Sequence, residues 1–336
     1  MDTLILKKKN EVYITVDCDP NIQREISEFF TFYVPGYKFM PAFRNRMWDG
    51  KIRLYSQKTK EIYFGLFPYI RAFAEERGYN IVSEEGVEVN NKVDKDVVKK
   101  FSNSLGQKFE ARDYQIDAIY HSLKFNRSLL LSPTASGKSF IIYSLIRYYT
   151  HLIKDAPNNR ILLIVPTTSL VEQMYSDFES YGWNVKKNCH KLYSGYSNQT
   201  DKKVLISTWQ SLYKLPKAYF EQFGCVFGDE AHLFKSKSLT EIMTKLEDCK
   251  YRIGLTGTLD GAQTHKLVLE GLFGAVNKVT STRKLMDKKQ LSNLTVRCLI
   301  LKHTPEHCQA ISKGKYQDEI DYLVSSRSRQ NFIRNL

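Results

Sequence analysis

The sequence has 336 residues, 42% of them hydrophobic, enough for two folded domains of an ordinary globular kind. Fifty Lys and Arg against 36 Asp and Glu leave a formal charge of +14, a balance that suits a polyanionic partner such as nucleic acid, although ribosomal, membrane-surface and heparin-binding proteins share it. The six cysteines form no CxxC pair, no apolar run reaches about 18 residues, and MDTLILKKKNEV has only a short apolar stretch, so neither a disulfide scaffold nor a zinc knuckle is suggested, and a soluble cytoplasmic protein with no secretion signal is expected.

Residues 1–90 read as a small α/β domain. Val12 to Val16 alternate as a strand, Asn21 to Phe32 have helical spacing in Ile22, Ile26, Phe29 and Phe30, and Lys51–Tyr55 and Ile62–Phe67 read as further strands. Pro68 opens a helix that reaches Arg77. Polar, charged sequence follows, and a linker is expected over 91–111.

From residue 112 to 280 strands alternate with helices, the signature of a parallel sheet with crossovers. The expected strands are Ser128–Ser132, Arg160–Val165, Lys203–Ser207, Cys225–Gly228 and Tyr251–Leu255. Several are continuous apolar runs, as strands covered on both faces should be. Residues 281–336 read as a basic connector, an apolar run at 294–301 and a helical stretch from Tyr316, the beginning of a further domain cut short.

SPTASGKS, Ser132 to Ser139, lies between an apolar strand and the amphipathic helix Phe140–Leu152, the setting a phosphate-binding loop requires. Pro133, Thr134, Ala135, Ser136 and Gly137 are small enough for backbone N–H groups to approach phosphates. Lys138 would reach the β- and γ-phosphates of ATP, and the Ser139 hydroxyl would ligate Mg²⁺. GDEAH follows 91 residues after Lys138, counted to Asp229, at the end of the apolar strand Cys225–Phe227. There Asp229 would hold the Mg²⁺ hydration shell and Glu230 would orient the attacking water.

These two motifs together resemble the first motor domain of a superfamily 2 helicase, whose phosphate loop often reads PTGSGK[ST]; Ala135 departs from it. The resemblance implies a RecA-like fold and assigns further residues. Arg112 and Gln115 in ARDYQIDAI match the adenine-recognition segment, though they also suit an ordinary capped helix. Thr167 and Ser169 in VPTTSLVEQ, and Thr208 and Gln210 in ISTWQSL, match segments that contact the nucleic-acid backbone, and they serve equally well as helix caps. LTGT, with Thr256 and Thr258, matches the segment that links ATP state to nucleic-acid grip, with His232 as its expected partner. Superfamily members place ATP between two motor domains, the second supplying arginines; Arg327, Arg329 and Arg334 lie outside any such motif and are not given that role. These residues are therefore expected to bind ATP and DNA but to be a weak motor alone.

Between Lys38 and Lys60 stand seven basic residues and one acid, Asp49, interleaved with Tyr37, Phe39, Phe43, Trp48 and Tyr55. Lys38, Arg44, Arg46, Trp48, Lys51 and Arg53 are candidate DNA contacts. The alternative, aromatics in a small core with a solvated rim, stays open, because residues 1–90 hold 13 basic and 13 acidic residues. The segment VPGYKFMPAFRNRMWDGKIRLY, with YFGL after it, resembles the recombination and repair helicases of T-even bacteriophages. That likeness implies DNA branch migration, fork regression, R-loop and D-loop unwinding and strand annealing, on branched, duplex or single-stranded DNA and RNA–DNA hybrids. An RNA helicase and an ATP-switched annealing protein are the alternatives. His303, His307 and Cys308 in KHTPEHC lack the second cluster that a zinc site needs.

Overall fold

The structure is a computed structural model that describes residues 2–259, 261–292 and 297–335. Residues 1–291 form one compact unit and residues 292–336 another.

The first unit opens with β1 (Thr3–Lys8) and β2 (Tyr13–Asp17), followed by β3 (Thr31–Tyr33) and β4 (Lys51–Arg53), which pair with each other alone. Next come β5 (Tyr55–Ser56), β6 (Glu61–Tyr63) and β7 (Asn80–Ser83), completing a sheet of order β5-β6-β2-β1-β7. Asn10 closes the first hairpin by accepting from the N–H groups of Val12 and Tyr13, both at 2.8 Å. The alternation of Leu4, Leu6, Ile14 and Val16 then falls on one face, and all four are buried beneath the helices Pro20–Phe29 and Phe67–Arg77. Asp19 caps the first of these, and Gly78, at φ 70°, ends the second in the left-handed conformation that glycine adopts without strain. The expected strand over Ile62–Phe67 stops at Tyr63: Phe64–Leu66 form a 3₁₀ turn whose Gly65 lies against the backbone of Glu270, where a Cβ would stand 1.9 Å from the carbonyl oxygen.

The larger sheet comprises β8 (Arg127–Leu131), β9 (Arg160–Val165), β10 (Cys189–Leu192), β11 (Val204–Thr208), β12 (Phe223–Gly228), β13 (Tyr251–Thr256) and β14 (Val276–Lys278). Its order is β10-β11-β9-β12-β13-β8-β14, and every pairing is parallel. The continuous apolar runs divide between two cores by the two-residue period of a strand. Ile161, Leu163 and Val165 join one cluster, and Leu162 and Ile164 the other. The second cluster is continuous with the core of the amino-terminal sheet. Each such aliphatic side chain contributes about 1.5–3 kcal/mol on burial.

Arg252 is fully buried, and its guanidinium donates to the carbonyls of Met243, Leu246, Cys249 and Leu272, which joins β13 to the ends of two helices. The segment expected as a linker over 91–111 contains a helix, Lys95–Asn103, capped by Asp94. Val98 and Leu105 bury themselves in the motor core, because the apolar positions 98, 101 and 105 give the segment one apolar face despite its charge.

In the second unit, the described part of the apolar run, 297–301, has no regular structure, and its residues 294–296 lie outside the described residues. The helical stretch is two helices, Tyr316–Ser325 and Arg327–Arg334, preceded by Pro305–Ser312. His303 and His307 hydrogen-bond Tyr322 and Thr304. No helix among the described residues is long and apolar enough to cross a membrane.

Candidate active site and nucleic-acid interface

The phosphate loop leaves β8 at the carboxyl end of the sheet, next to the end of β13, where Ser132 N–H donates to the Thr256 carbonyl at 2.8 Å. Inside the loop the Ser132 and Ser136 hydroxyls lie 2.6 Å apart, and Ser136 Oγ also donates to the Pro133 carbonyl at 2.6 Å. Ala135 and Gly137 both have positive φ, at 62° and 80°, the alternation that makes a backbone nest for an anion. At Gly137 a Cβ would stand 2.4 Å from Gln115 Nε2, which explains the glycine. Ala135 takes the same kind of conformation with a Cβ present and carries the strain that glycine would avoid.

Gln115 is buried, accepting from Arg112 N–H at 2.9 Å and donating to the Ser136 carbonyl at 3.0 Å. It therefore braces the loop from below while Arg112 is exposed beside it. Lys138 begins the helix Lys138–Leu152, and its Nζ lies 3.1 Å from Glu230 Oε1. Ser139 Oγ lies 2.9 Å from the Tyr181 hydroxyl. Tyr181 packs among the rings of Phe109, Phe140 and Tyr143 and is a neighbour of the loop that no motif announces.

Asp229 follows β12, one strand from β13 and two from β8. Its carboxyl is driven up to about 6, first by burial and further by the Glu230 charge, with Lys138 pulling the other way. Oδ1 is buried without a hydrogen-bond partner. A buried carboxylate oxygen with no donor, beside a phosphate loop, fits a divalent cation better than any group present, and few protein ligands are needed where nucleotide phosphates and water complete the shell. Glu230 has φ 49°, which turns its carboxylate back toward Lys138 and brings Oε2 to 3.4 Å from His232 Nδ1. His232 Nδ1 is 3.0 Å from Thr256 Oγ1, which in turn donates to the Thr258 carbonyl at 2.8 Å.

Thr167 and Ser169 stand exposed after β9, their hydroxyls 3.0 Å apart, with Thr167 capping the helix Thr168–Ser180. Thr208 ends the adjacent strand β11, its hydroxyl 3.1 Å from Ser211 Oγ, and Gln210 is exposed beside it. The two segments therefore emerge side by side at the same end of the sheet as the phosphate loop.

The basic residues of the amino-terminal domain surround the loop between β3 and β4. Lys38, Arg44, Arg46 and Arg53 are exposed, Arg53 is paired with Asp49, Lys51 Nζ lies 4.9 Å from the centre of the Tyr33 ring, and Trp48 Nε1 donates to the Lys51 carbonyl at 2.9 Å. The loop is joined to the motor domain at its base, where Thr264 Oγ1 donates to the Tyr33 carbonyl at 3.5 Å.

A seven-stranded parallel sheet with a phosphate loop, an acidic pair and a His–Thr link at its carboxyl edge defines the nucleotide-binding motor domain of a helicase-type ATPase. Residues 108–261 match the family of the type III restriction enzyme res subunit, and residues 4–84 match the amino-terminal domain of the DNA helicase UvsW. The chain is 33% identical over 333 residues to the ATP-dependent DNA helicase uvsW of Enterobacteria phage T4, covering 96% of this chain and 65% of that protein. A crystal structure of the UvsW helicase from bacteriophage T4 superposes with a TM-score of 0.74 at 32% identity, over 83% of this chain and all of the other. A second T4 UvsW structure gives 0.75 at 30% identity, over 99% of this chain and 66% of that one. The chain belongs to the UvsW helicase family, and it spans about two thirds of the length of its T4 relative.

Proposed function

We propose that the protein is an ATP-dependent DNA helicase or translocase that remodels branched DNA in phage recombination, repair and replication, within the host cytoplasm. The observation that carries this reading is the convergence of Lys138, Asp229, Glu230, His232 and Thr256 at one sheet edge, next to Thr167 and Thr208. Lys138 and the backbone N–H groups of Pro133 to Gly137 hold the phosphates, apart from the proline, which contributes shape alone. Arg112 and Gln115 stand on the adenine side. Ser139 and Asp229 hold Mg²⁺, which when bound neutralises charge on the phosphates. Glu230 orients water. His232, Thr256 and Thr258 carry the state of the nucleotide site across the sheet ends toward the DNA, which Thr167, Ser169, Thr208 and Gln210 meet at its phosphates. Lys38, Arg44, Arg46, Trp48, Lys51 and Arg53 form a second DNA surface.

The likeness to the T4 helicase extends the proposal to branch migration, fork regression, R-loop and D-loop unwinding, and annealing. The test is ATP hydrolysis with no nucleic acid, single-stranded DNA, a four-way DNA junction or structured RNA, each beside Glu230→Gln. Strong stimulation by the junction that disappears in Glu230→Gln supports the reading. Stimulation by RNA alone, or none, overturns it.

A further inference from the structure

The loop 34–50 spends its aromatic residues in an unusual way. Tyr37 stacks on Tyr33 with centroids 4.7 Å apart, Phe43 meets Tyr37 edge-on at 4.8 Å, and Val34 N–H closes the loop on the Gly50 carbonyl at 2.9 Å. Gly50 is pressed so closely on the Tyr37 ring that a Cβ would stand 2.3 Å from it. The loop thus has a small core of its own and a fixed shape. Phe39 and Met47 are nevertheless left outside that core, 76% and 75% exposed, the two most exposed large hydrophobic side chains among the described residues of the first unit. A loop whose other rings, Tyr37, Phe43 and Trp48, are half-buried has the means to cover such residues, so their presentation calls for an occupant.

The charge around them says which. Lys38, Arg44 and Arg46 are exposed and have no ion-pair partner among the described residues, while the loop's acid, Asp49, is engaged by Arg53. Exposed apolar residues interspersed with unpaired cations in one loop complement a polyanion whose interior is apolar, which is a description of stacked nucleic acid. Apolar side chains such as Phe and Met that enter between base steps are a general way of opening a stack, and entry is easiest where pairs are already frayed.

We infer that Phe39 and Met47 form a wedge that enters the base stack at a DNA branch point, while Lys38, Arg44 and Arg46 hold the flanking phosphates. This rests on the reading of the loop as a DNA surface and adds to it a reason for preferring branched over linear DNA. The cations give affinity for any duplex, and the wedge gives affinity where a pair is open.

The test uses this chain without ATP and a three-way junction carrying 2-aminopurine at the branch point, with a linear duplex of the same label as control. The wild-type chain raises the fluorescence of the junction and leaves that of the duplex little changed. Phe39→Ser/Met47→Ser abolishes the rise and weakens junction binding by about tenfold, the order expected for one stacking contact, while duplex affinity stays within about threefold. Arg44→Ala/Arg46→Ala weakens both DNAs and lowers the slope of log affinity against log salt by about 1.8, two phosphate contacts. An unchanged fluorescence rise in the Phe39/Met47 variant, with the arginine variant weakened as stated, overturns the wedge and leaves the DNA surface standing. Unchanged binding in the arginine variant overturns both.

Discussion

His232 and Thr256 are hydrogen-bonded across the ends of β12 and β13, with Nδ1 3.0 Å from Oγ1. The same imidazole nitrogen is 3.4 Å from Glu230, and the same hydroxyl reaches the Thr258 carbonyl, so one short chain of contacts runs from the Glu230 carboxylate to the LTGT turn. Thr256→Val keeps the shape and removes the hydroxyl. The expected outcome is ATP affinity within about threefold of wild type and a loss of most of the DNA stimulation of hydrolysis, because the two ends of the link are no longer joined. Nucleotide titration and hydrolysis with and without junction DNA check this.

Lys138 and Glu230 are paired at 3.1 Å, and a lysine that reaches nucleotide phosphates must leave that partner. Glu230→Gln removes the competing charge. ATP binding is expected to tighten several-fold while hydrolysis falls by at least about a hundredfold, the usual scale for a group that positions the reacting water. Tight binding with slow turnover, read by a fluorescent ATP analogue and phosphate release, separates this from a damaged fold.

Asp229 has its carboxyl raised from an ordinary value of 3.8 to about 6, chiefly by burial. A folded-state value above the unfolded one means that the folded chain binds the proton more strongly. The unfolded chain therefore ionises first, so stability falls as pH rises from about 4 to about 6, stays lower by a constant amount above that, and carries no penalty below about 4. Asp229→Asn is expected to stabilise the nucleotide-free protein by up to about 3 kcal/mol at pH 8, with the gain vanishing between pH 6 and 4. Denaturant unfolding of both proteins at pH 8, 6 and 4 measures the difference. The variant should hydrolyse ATP poorly at every pH, a stabilising change at the expense of function.

Glu11 reaches from the first hairpin to Arg127 at the start of β8, at 2.8 Å. Burial is the largest influence on both groups and opposes charge on each; Arg127 and Lys8 nonetheless hold the Glu11 carboxyl below its ordinary value. Glu11→Ala strands the guanidinium and should cost about 3 kcal/mol or more, measured by urea unfolding. Gly65→Ala places a methyl against the Glu270 backbone and should loosen the amino-terminal sheet from the motor domain, seen as faster proteolytic cleavage near residues 84–94.

The motor sheet was legible wherever a strand is covered on both faces, as in Arg160–Val165, which the structure bounds as the sequence does. The strands that escaped notice are mostly edges: β10 (CHKL) and β14 (VNK) flank the large sheet and β7 (NIVS) the small one, and short, half-covered strands need little apolar sequence. The central β1 was hidden by the lysines that follow two buried leucines. The contiguous motifs SPTASGKS and GDEAH prove to be neighbours in space, Lys138 lying 3.1 Å from Glu230. Tyr181, 42 residues beyond the serine it touches, has no local signal, since only the packing of Ser139 helix against the helix Thr168–Ser180 brings them together. Gln115 illustrates a residue whose motif was plain but whose amide is turned to the loop itself.

The amino-terminal domain touches the motor domain at several places, among them Glu11 to Arg127, Gly65 to the Glu270 backbone, Tyr69 to the Glu270 carboxylate and Tyr33 to Thr264. Contacts drawn from the first hairpin, the 3₁₀ turn, the helix Phe67–Arg77 and the end of β3 hold the two parts together through several elements at once. The exposed loop would then work as an outrigger, carried along with the nucleotide-binding domain through the Thr264–Tyr33 contact at its base. On the proposed reading, a movement begun at the nucleotide site would be passed through these contacts to the loop and to DNA held there.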